Sequence, residues 1–161
     1  MNWLKRKSYP QFWEDYLTYF KRTQEQDINK IRFVVFDTET TGLNIKTDRI
    51  LSIGCVGIQD LKIRVSDQLE QYLQQEHFDS STVHIHGLLK GGHMHKKIEL
   101  DAIIDFLSYI KNSILVAHHA AFDVAMINAG LKRMGLPKLK NKVLDTGHLF
   151  QKSKIDPSKP H

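Results

Sequence analysis

Several common features are scarce or missing from this sequence. There is one cysteine, Cys55, in 161 residues, which excludes an internal disulfide and a cysteine-based zinc site. Cys55 lies in the apolar run Ile53-Gly54-Cys55-Val56, where a buried, inert thiol is expected. No apolar stretch approaches the roughly 20 residues that cross a bilayer. The basic start, Met1 to Lys7, is not followed by the apolar core of a secretory signal. A cytoplasmic protein without a membrane attachment is the expectation. What is present is ordinary for a globular chain: 41% hydrophobic and 25% charged residues, enough for one domain with a real core.

The net charge of +5 is unevenly spread. Residues 1–30 carry six basic and four acidic groups (+2), residues 31–130 nine and twelve (−3), and residues 131–161 eight and two (+6). Acids concentrate in the middle and bases at the end. This suits a polyanion brought to an acidic centre, or a solvated lysine-rich surface; charge alone does not choose.

Seven of the fifteen aromatic residues fall in residues 1–30. Phe12, Trp13, Tyr16, Leu17 and Phe20 recur at helical spacing, predicting a helix over 9–22, with Ser8 and Gln11 at capping-box spacing and Pro10 in the first turn. Its apolar stripe packs on the body of the domain or, alternatively, docks a partner. Thr23 to Asn29 reads as a linker, so residues 1–30 are expected to form an N-terminal helical extension and 31–161 the main domain. Ile31 to Thr40 predicts a strand apolar on both faces and hence central. Arg49 to Ile58 and Leu61 to Ser66 predict two more, joined antiparallel by a short turn at Gln59-Asp60. Ile98 to Lys111 predicts a helix, Ser113 to Ala117 a fourth strand, and Ala121 to Met134 a helix stopped by Gly135 and Pro137. Lys142 to Leu144 starts a fifth strand, and Asp145 to Lys152 a short helix or turn. The fold class is α/β, a mixed sheet with flanking helices. Residues 67–97 are polar and rich in histidine. The pairs His84/His86 and His93/His95 have no cysteine or suitably spaced acid beside them, which argues against a structural zinc site.

Two stretches carry chemistry. Phe36-Asp37-Thr38-Glu39-Thr40-Thr41-Gly42-Leu43 ends the first strand. Side chains two apart on a strand leave the same face, so Asp37 and Glu39 point into one space and repel. A divalent cation, or a pair of them, turns that repulsion into binding. Thr40-Thr41-Gly42 then ends the strand in a tight turn that lets something approach the backbone. Ala117-His118-His119-Ala120-Ala121-Phe122-Asp123 runs from the fourth strand into a helix. Asp123 lies in the first turn, where the helix dipole favours a carboxylate whether or not it has a further role.

Taken together, Asp-x-Glu-Thr-Thr-Gly-Leu and His-x-Ala-x-Phe-Asp resemble the DEDD (DnaQ-like) 3′–5′ exonuclease superfamily, with the nearest likeness to the epsilon-type proofreading exonucleases of bacterial DNA polymerase III. The likeness covers residues 31–150. It implies a ribonuclease H-like, five-stranded mixed sheet with flanking helices, here with an aromatic-rich N-terminal helix added. It implies that Asp37, Glu39 and Asp123 are catalytic ligands of a Mg²⁺ or Mn²⁺ pair, hard cations suited to oxygen donors and phosphate. One ion would activate water at the terminal phosphodiester and the other stabilise the leaving oxygen. Thr40, Thr41, Gly42 and Leu43 would receive the 3′ nucleotide, with Leu43 an apolar wedge. Ile85 and His86, in Ile85-His86-Gly87-Leu88, would cover it, and Phe122 would lie beside its sugar and base. His119 stands where the family usually has Asn and can donate the same hydrogen bond. The implied partners are DNA 3′ ends, single-stranded or frayed, and a DNA polymerase subunit.

The family's third motif, His-x4-Asp or Tyr-x3-Asp on a later helix, has no match. The only His-x4-Asp is His118 to Asp123, which is the second motif itself. Asp145 with His148 has the wrong order and spacing, and Asp145 is read as a cap on the turn that follows. The expectation is therefore a fragment, or the ordered part, of a longer exonuclease, binding metal weakly and digesting DNA poorly. Two other readings stand beside it. A haloacid-dehalogenase-type phosphatase would need a downstream lysine and acid pair that are not found. A non-catalytic nucleic-acid-binding or polymerase-docking module would need no third motif.

Overall fold

The computed structural model describes residues 8–21, 25–75 and 95–153. In chain order they form α1 (Gln11–Thr18), β1 (Phe33–Thr40), β2 (Ile50–Gln59), β3 (Lys62–Leu73), β4 (Lys96–Lys97), α2 (Glu99–Ile110), β5 (Ile114–Ala117), α3 (Ala120–Arg133), β6 (Val143–Asp145) and α4 (Thr146–Ser153). The sheet has six strands in the order β4-β3-β2-β1-β5-β6. β1 is central, as its two-faced apolarity predicts: it runs antiparallel to β2 and parallel to β5, while β6 runs parallel to β5. The strand beyond the expected five is β4, two residues long, too short to show any periodicity.

The β2–β3 turn places Asp60 and Leu61 at φ 54° and 58°, the two left-handed residues of a tight hairpin, one position later than predicted. β3 then runs well past the expected end at Ser66. Its register against β2 shifts between Val56 and Gly57, and such a bulge breaks the period-two pattern by which a strand is read. The bulge is pinned. Arg32 donates to both carboxylate oxygens of Asp67, at 3.0 and 3.2 Å, and a Cβ on Gly57 would lie 2.0 Å from Asp67 Oδ2.

The two faces of the sheet differ. Val34, Phe36, Ile53 and Cys55 are buried on one face, whereas Phe33, Val35, Val56 and Ile58 on the other are half-buried. α2 covers the buried face. The Phe36 and Phe106 rings lie 5.7 Å apart, and Gln71 Nε2 donates to the Ala102 carbonyl at 3.1 Å. α3 adds Met126, Ile127 and Leu131. It ends with Gly135 at φ 72° in a Schellman arrangement, Leu136 N donating to Leu131 O and Gly135 N to Lys132 O. Burial pushes the Cys55 thiol up to about 12, so it is inert at neutral pH.

α1 belongs to the same core. Trp13 and Tyr16 are 1% and 2% exposed. The Tyr16 hydroxyl donates to Asn141 Oδ1 at 2.7 Å and accepts from Lys140 N at 2.8 Å. Asn141 Nδ2 in turn donates to the carbonyls of Lys111 and Ser113. The helix is shorter than the predicted 9–22. The Ser8 cap is not used; Pro10 takes the N-cap position without a side-chain bond, and its carbonyl accepts from Trp13 N and Glu14 N. No described helix is long and apolar enough to cross a membrane.

Candidate functional site

β1, β5 and β6 run parallel, and Ala117 is paired with Asp145 where β5 and β6 end. The loops that follow parallel strands gather at their carboxyl ends, where ligands of open α/β sheets are held. Asp37 is exposed and Glu39 half-buried, and the strand alternation puts both on the more open face, as the sequence predicts. Thr38 between them is turned to the buried face, 7% exposed.

Asp123 meets that residue. It sits in the first turn of α3, 3% exposed, and its Oδ1 accepts from Thr38 N at 3.0 Å and Thr38 Oγ1 at 2.7 Å. Two charge-assisted bonds thus fix the start of α3 to the end of β1. Burial pushes the Asp123 carboxyl above the ordinary aspartate value, the Thr38 hydroxyl pulls it back, and the charge of Asp37 pushes it up again. Thr38 escapes the motif reading. The signal for it was the alternation that sets a hydroxyl beside Val34 and Phe36, where a buried polar group needs a partner.

Asp37 lies near enough for its charge to raise the Asp123 carboxyl. Among the described residues, no group of three His, Cys, Asp or Glu side chains closes into a metal cage, so Asp37, Glu39 and Asp123 line one strand end without enclosing it. The donors nonetheless fit a hard cation. All are carboxylate oxygens, two of them repel, and Mg²⁺ characteristically takes one or two carboxylates and completes its shell with water and phosphate.

The turn after β1 is tied to itself. Thr40 Oγ1 donates to Gly42 O at 2.8 Å and Thr41 Oγ1 to Asp48 Oδ1 at 2.9 Å. Asn44 N donates to Asp48 Oδ2 at 2.7 Å, and Arg49 N to Thr41 Oγ1 at 3.0 Å. A Cβ on Gly42 would lie 2.7 Å from Asp48 Oδ2. A side chain at Gly42 would thus press on the loop's own carboxylate, a constraint the sequence does not reveal. The loop holds Leu43 out at 83% exposure, a large apolar side chain in water just after the strand that carries Asp37 and Glu39.

His119 is the N-cap residue of α3 at φ 53°, ψ 42°, with no side-chain capping bond. This left-handed conformation suits Asn first and His less well, which gives a backbone reason for Asn at this place in the resembling family. Its ring lies 4.3 Å from that of His118. Asp145 supplies the missing cap: its Oδ2 accepts from Ala120 N at 2.8 Å, while Oδ1 accepts from Gly147 N at 2.8 Å and His148 N at 3.3 Å. One carboxylate caps both α3 and α4. Desolvation works against its charge, but the three backbone donors prevail and hold Asp145 below the ordinary value. The sequence suggested only the second of these caps. His118 Nδ1 lies 2.9 Å from Thr146 Oγ1. Phe122 is half-buried and packs against the core. Ile85 and His86, and the histidine pairs apart from His95, lie outside the described residues.

The family described as Exonuclease (RNase_T) matches residues 34–157. DNA polymerase III PolC-type of Oceanobacillus iheyensis is 32% identical over 123 residues, 76% of this chain and 8% of that protein. Its counterpart in Halalkalibacterium halodurans is 33% identical over 120 residues, 71% of this chain and again 8% of that protein. The chain thus spans under a tenth of the length of these curated relatives. Among solved structures, E. coli exonuclease I in complex with a dA16 oligonucleotide superposes with a TM-score of 0.66 at 13% identity, covering 76% of this chain and 30% of that one. The zinc-bound form of the E. coli exonuclease I–ssDNA complex gives 0.69 at 13% identity, covering 82% and 31%. At that identity the likeness speaks for the fold, a six-stranded mixed sheet with helices. The family match covers most of the chain and the site lies within it: the chain belongs to the exonuclease family.

Proposed function

We propose that this chain is a 3′–5′ exonuclease domain that removes nucleoside 5′-monophosphates from DNA 3′ ends with Mg²⁺ or Mn²⁺ bound by Asp37, Glu39 and Asp123. The observation that supports it most is Asp123, buried in the first turn of α3, fastened to Thr38 and raised by burial and by Asp37. Bound metal ions would supply Lewis acidity at the scissile phosphate. The chain's own residues do the rest. Thr38 orients Asp123, and β1 holds Asp37 and Glu39 on one face. The self-bonded turn from Thr40 to Asp48 presents Leu43 as a wedge against the last base, with Phe122, His119, Ile85 and His86 as further contacts to the terminal nucleotide. PolC-type relatives make a polymerase a natural partner, with proofreading the corresponding task.

The chain has no third-motif His or Tyr to orient the attacking water, so slow turnover is expected. A 5′-labelled single strand incubated with Mg²⁺ or Mn²⁺ should shorten one nucleotide at a time from its 3′ end, with Asp123→Asn slowing this about a hundredfold or more. Internal fragments, attack from the 5′ end or equal rates in EDTA would overturn the reading. The absent motif favours one rival, a non-catalytic module that binds 3′ ends. Binding in EDTA with no cleavage under any metal would establish it instead.

A further inference from the structure

Between the loop after β1 and the outer face of α3 lies an open cleft of about 650 Å³. Its floor is built from Ala121, Val124, Ala125, Asn128 and Ala129, which recur at helical spacing from the turn that carries Asp123 toward the last turn of α3. Ile45 forms the opposite wall. Among the described residues, five cations line the cleft and no acid does. Two of the five are already engaged. Arg133 bonds Glu99 at 2.9 Å, and Arg49 donates to the carbonyls of Thr47 and Asp48. Lys46, Lys132 and Lys138 are exposed and come from three separate segments that meet only in the folded chain. Lys132 alone would be explained by the helix C-terminus, where a cation complements the dipole. That account does not reach Lys46 or Lys138.

The cleft starts at Ala121, in the same first turn of α3 as Asp123, and leads away from that turn. A run from Ala121 to Lys132 spans about 16 Å of helix at 1.5 Å per residue, room for a few nucleotides of single strand. We propose that this cleft is a track for the backbone phosphates of the strand whose 3′ end lies at Asp37 and Asp123, with Lys46, Lys132 and Lys138 as its contacts. The proposal rests on the exonuclease reading for its direction, though not for its chemistry. Charge selects the occupant: a cleft whose described lining is cationic takes a polyanion. No aromatic side chain lines it among the described residues, so binding there is expected to be carried by charge, insensitive to base sequence and steeply dependent on salt.

The test uses the full chain and fluorescein-labelled dT12 in EDTA, read by anisotropy over a range of salt. Each phosphate contact on a single strand contributes about 0.7 to the slope of log K against log salt. Replacing Lys46, Lys132 and Lys138 with glutamine should therefore flatten the slope by about 2, with the melting temperature showing the variant folded. Lys62→Gln makes a suitable control. It is exposed and sits at the β2–β3 turn, at the opposite end of the sheet from the acids, and should leave the slope as it is. An unchanged slope in the triple variant overturns the track. So does a poly-glutamate peptide that loses its binding in the variant while dT12 does not, since the cleft would then be a protein-docking site. The readout needs no catalysis. A flattened slope without any mononucleotide release would keep the track and sink the exonuclease reading; release with an unchanged slope would do the reverse.

Discussion

Asp123 and Asp145 are the same residue type at nearly the same place, and their carboxyls are driven in opposite directions. Asp123 lies inside the first turn of α3; Asp145 reaches that helix from the end of β6 and bonds Ala120 N. Asp145 is half-buried and collects three backbone N–H donors from two helices, so its charge is satisfied. Asp123 is buried, has one neighbouring residue to donate to it, and faces the charge of Asp37. A helix N-terminus alone therefore does not make a functional acid. Asp145 is complete without a ligand, whereas Asp123 carries a charge that the protein leaves partly unbalanced.

The contrast can be broken experimentally, and the largest effect is expected at the satisfied acid. Asp145→Ala strips the acceptor from three N–H groups at once, and the melting temperature should fall by several degrees. The pH dependence separates the two acids. The Asp145 carboxyl is lowered, so its stabilisation is complete above the ordinary aspartate value and is lost as pH falls through the lowered one. The Asp123 carboxyl is raised, so its cost is present above the raised value and disappears as pH falls toward the ordinary one. On acidification the wild type should thus converge first with Asp123→Asn and only at lower pH with Asp145→Ala; the reverse order would refute the comparison. Next comes cation linkage. At a hundredfold excess of Mn²⁺ over its Kd the wild type should gain about 2.7 kcal/mol, read as a higher melting temperature. Asp123→Asn should lose that gain and, without metal, melt no lower than the wild type. If the variant melts well below wild type in EDTA, Asp123 is as structural as Asp145. The smallest effect is His119→Asn, which suits the left-handed backbone better and should stabilise the fold by a few tenths of a kcal/mol.

The sequence made the central strand legible because β1 is apolar on both faces and ends in Asp37 and Glu39. The stop of α3 was equally plain from Gly135. What went unread depends on contacts between distant segments. The length of β3 was hidden because the bulge at Asp67 breaks the alternation, and nothing local says that Arg32 will hold it. Asp145 read as a cap on its own turn, since its second helix, beginning at Ala120, is its neighbour only through β5–β6 pairing. The cleft was invisible for the same reason: Lys46, Lys132 and Lys138 form one patch only after folding. Thr38 could have been found, because alternation alone buries its hydroxyl.

The bond from Tyr16 to Asn141 spans 125 residues of sequence, and this bears on how the molecule assembles. α1 is synthesised before the other described elements, yet the partner for its buried hydroxyl lies just before β6. Trp13 and Tyr16 must wait, uncovered, until β5 and the segment after α3 have left the ribosome. Closing so long a loop costs chain entropy before any contact repays it. α1 can therefore complete its docking only after that segment is made, and its apolar face is open to misassociation until then.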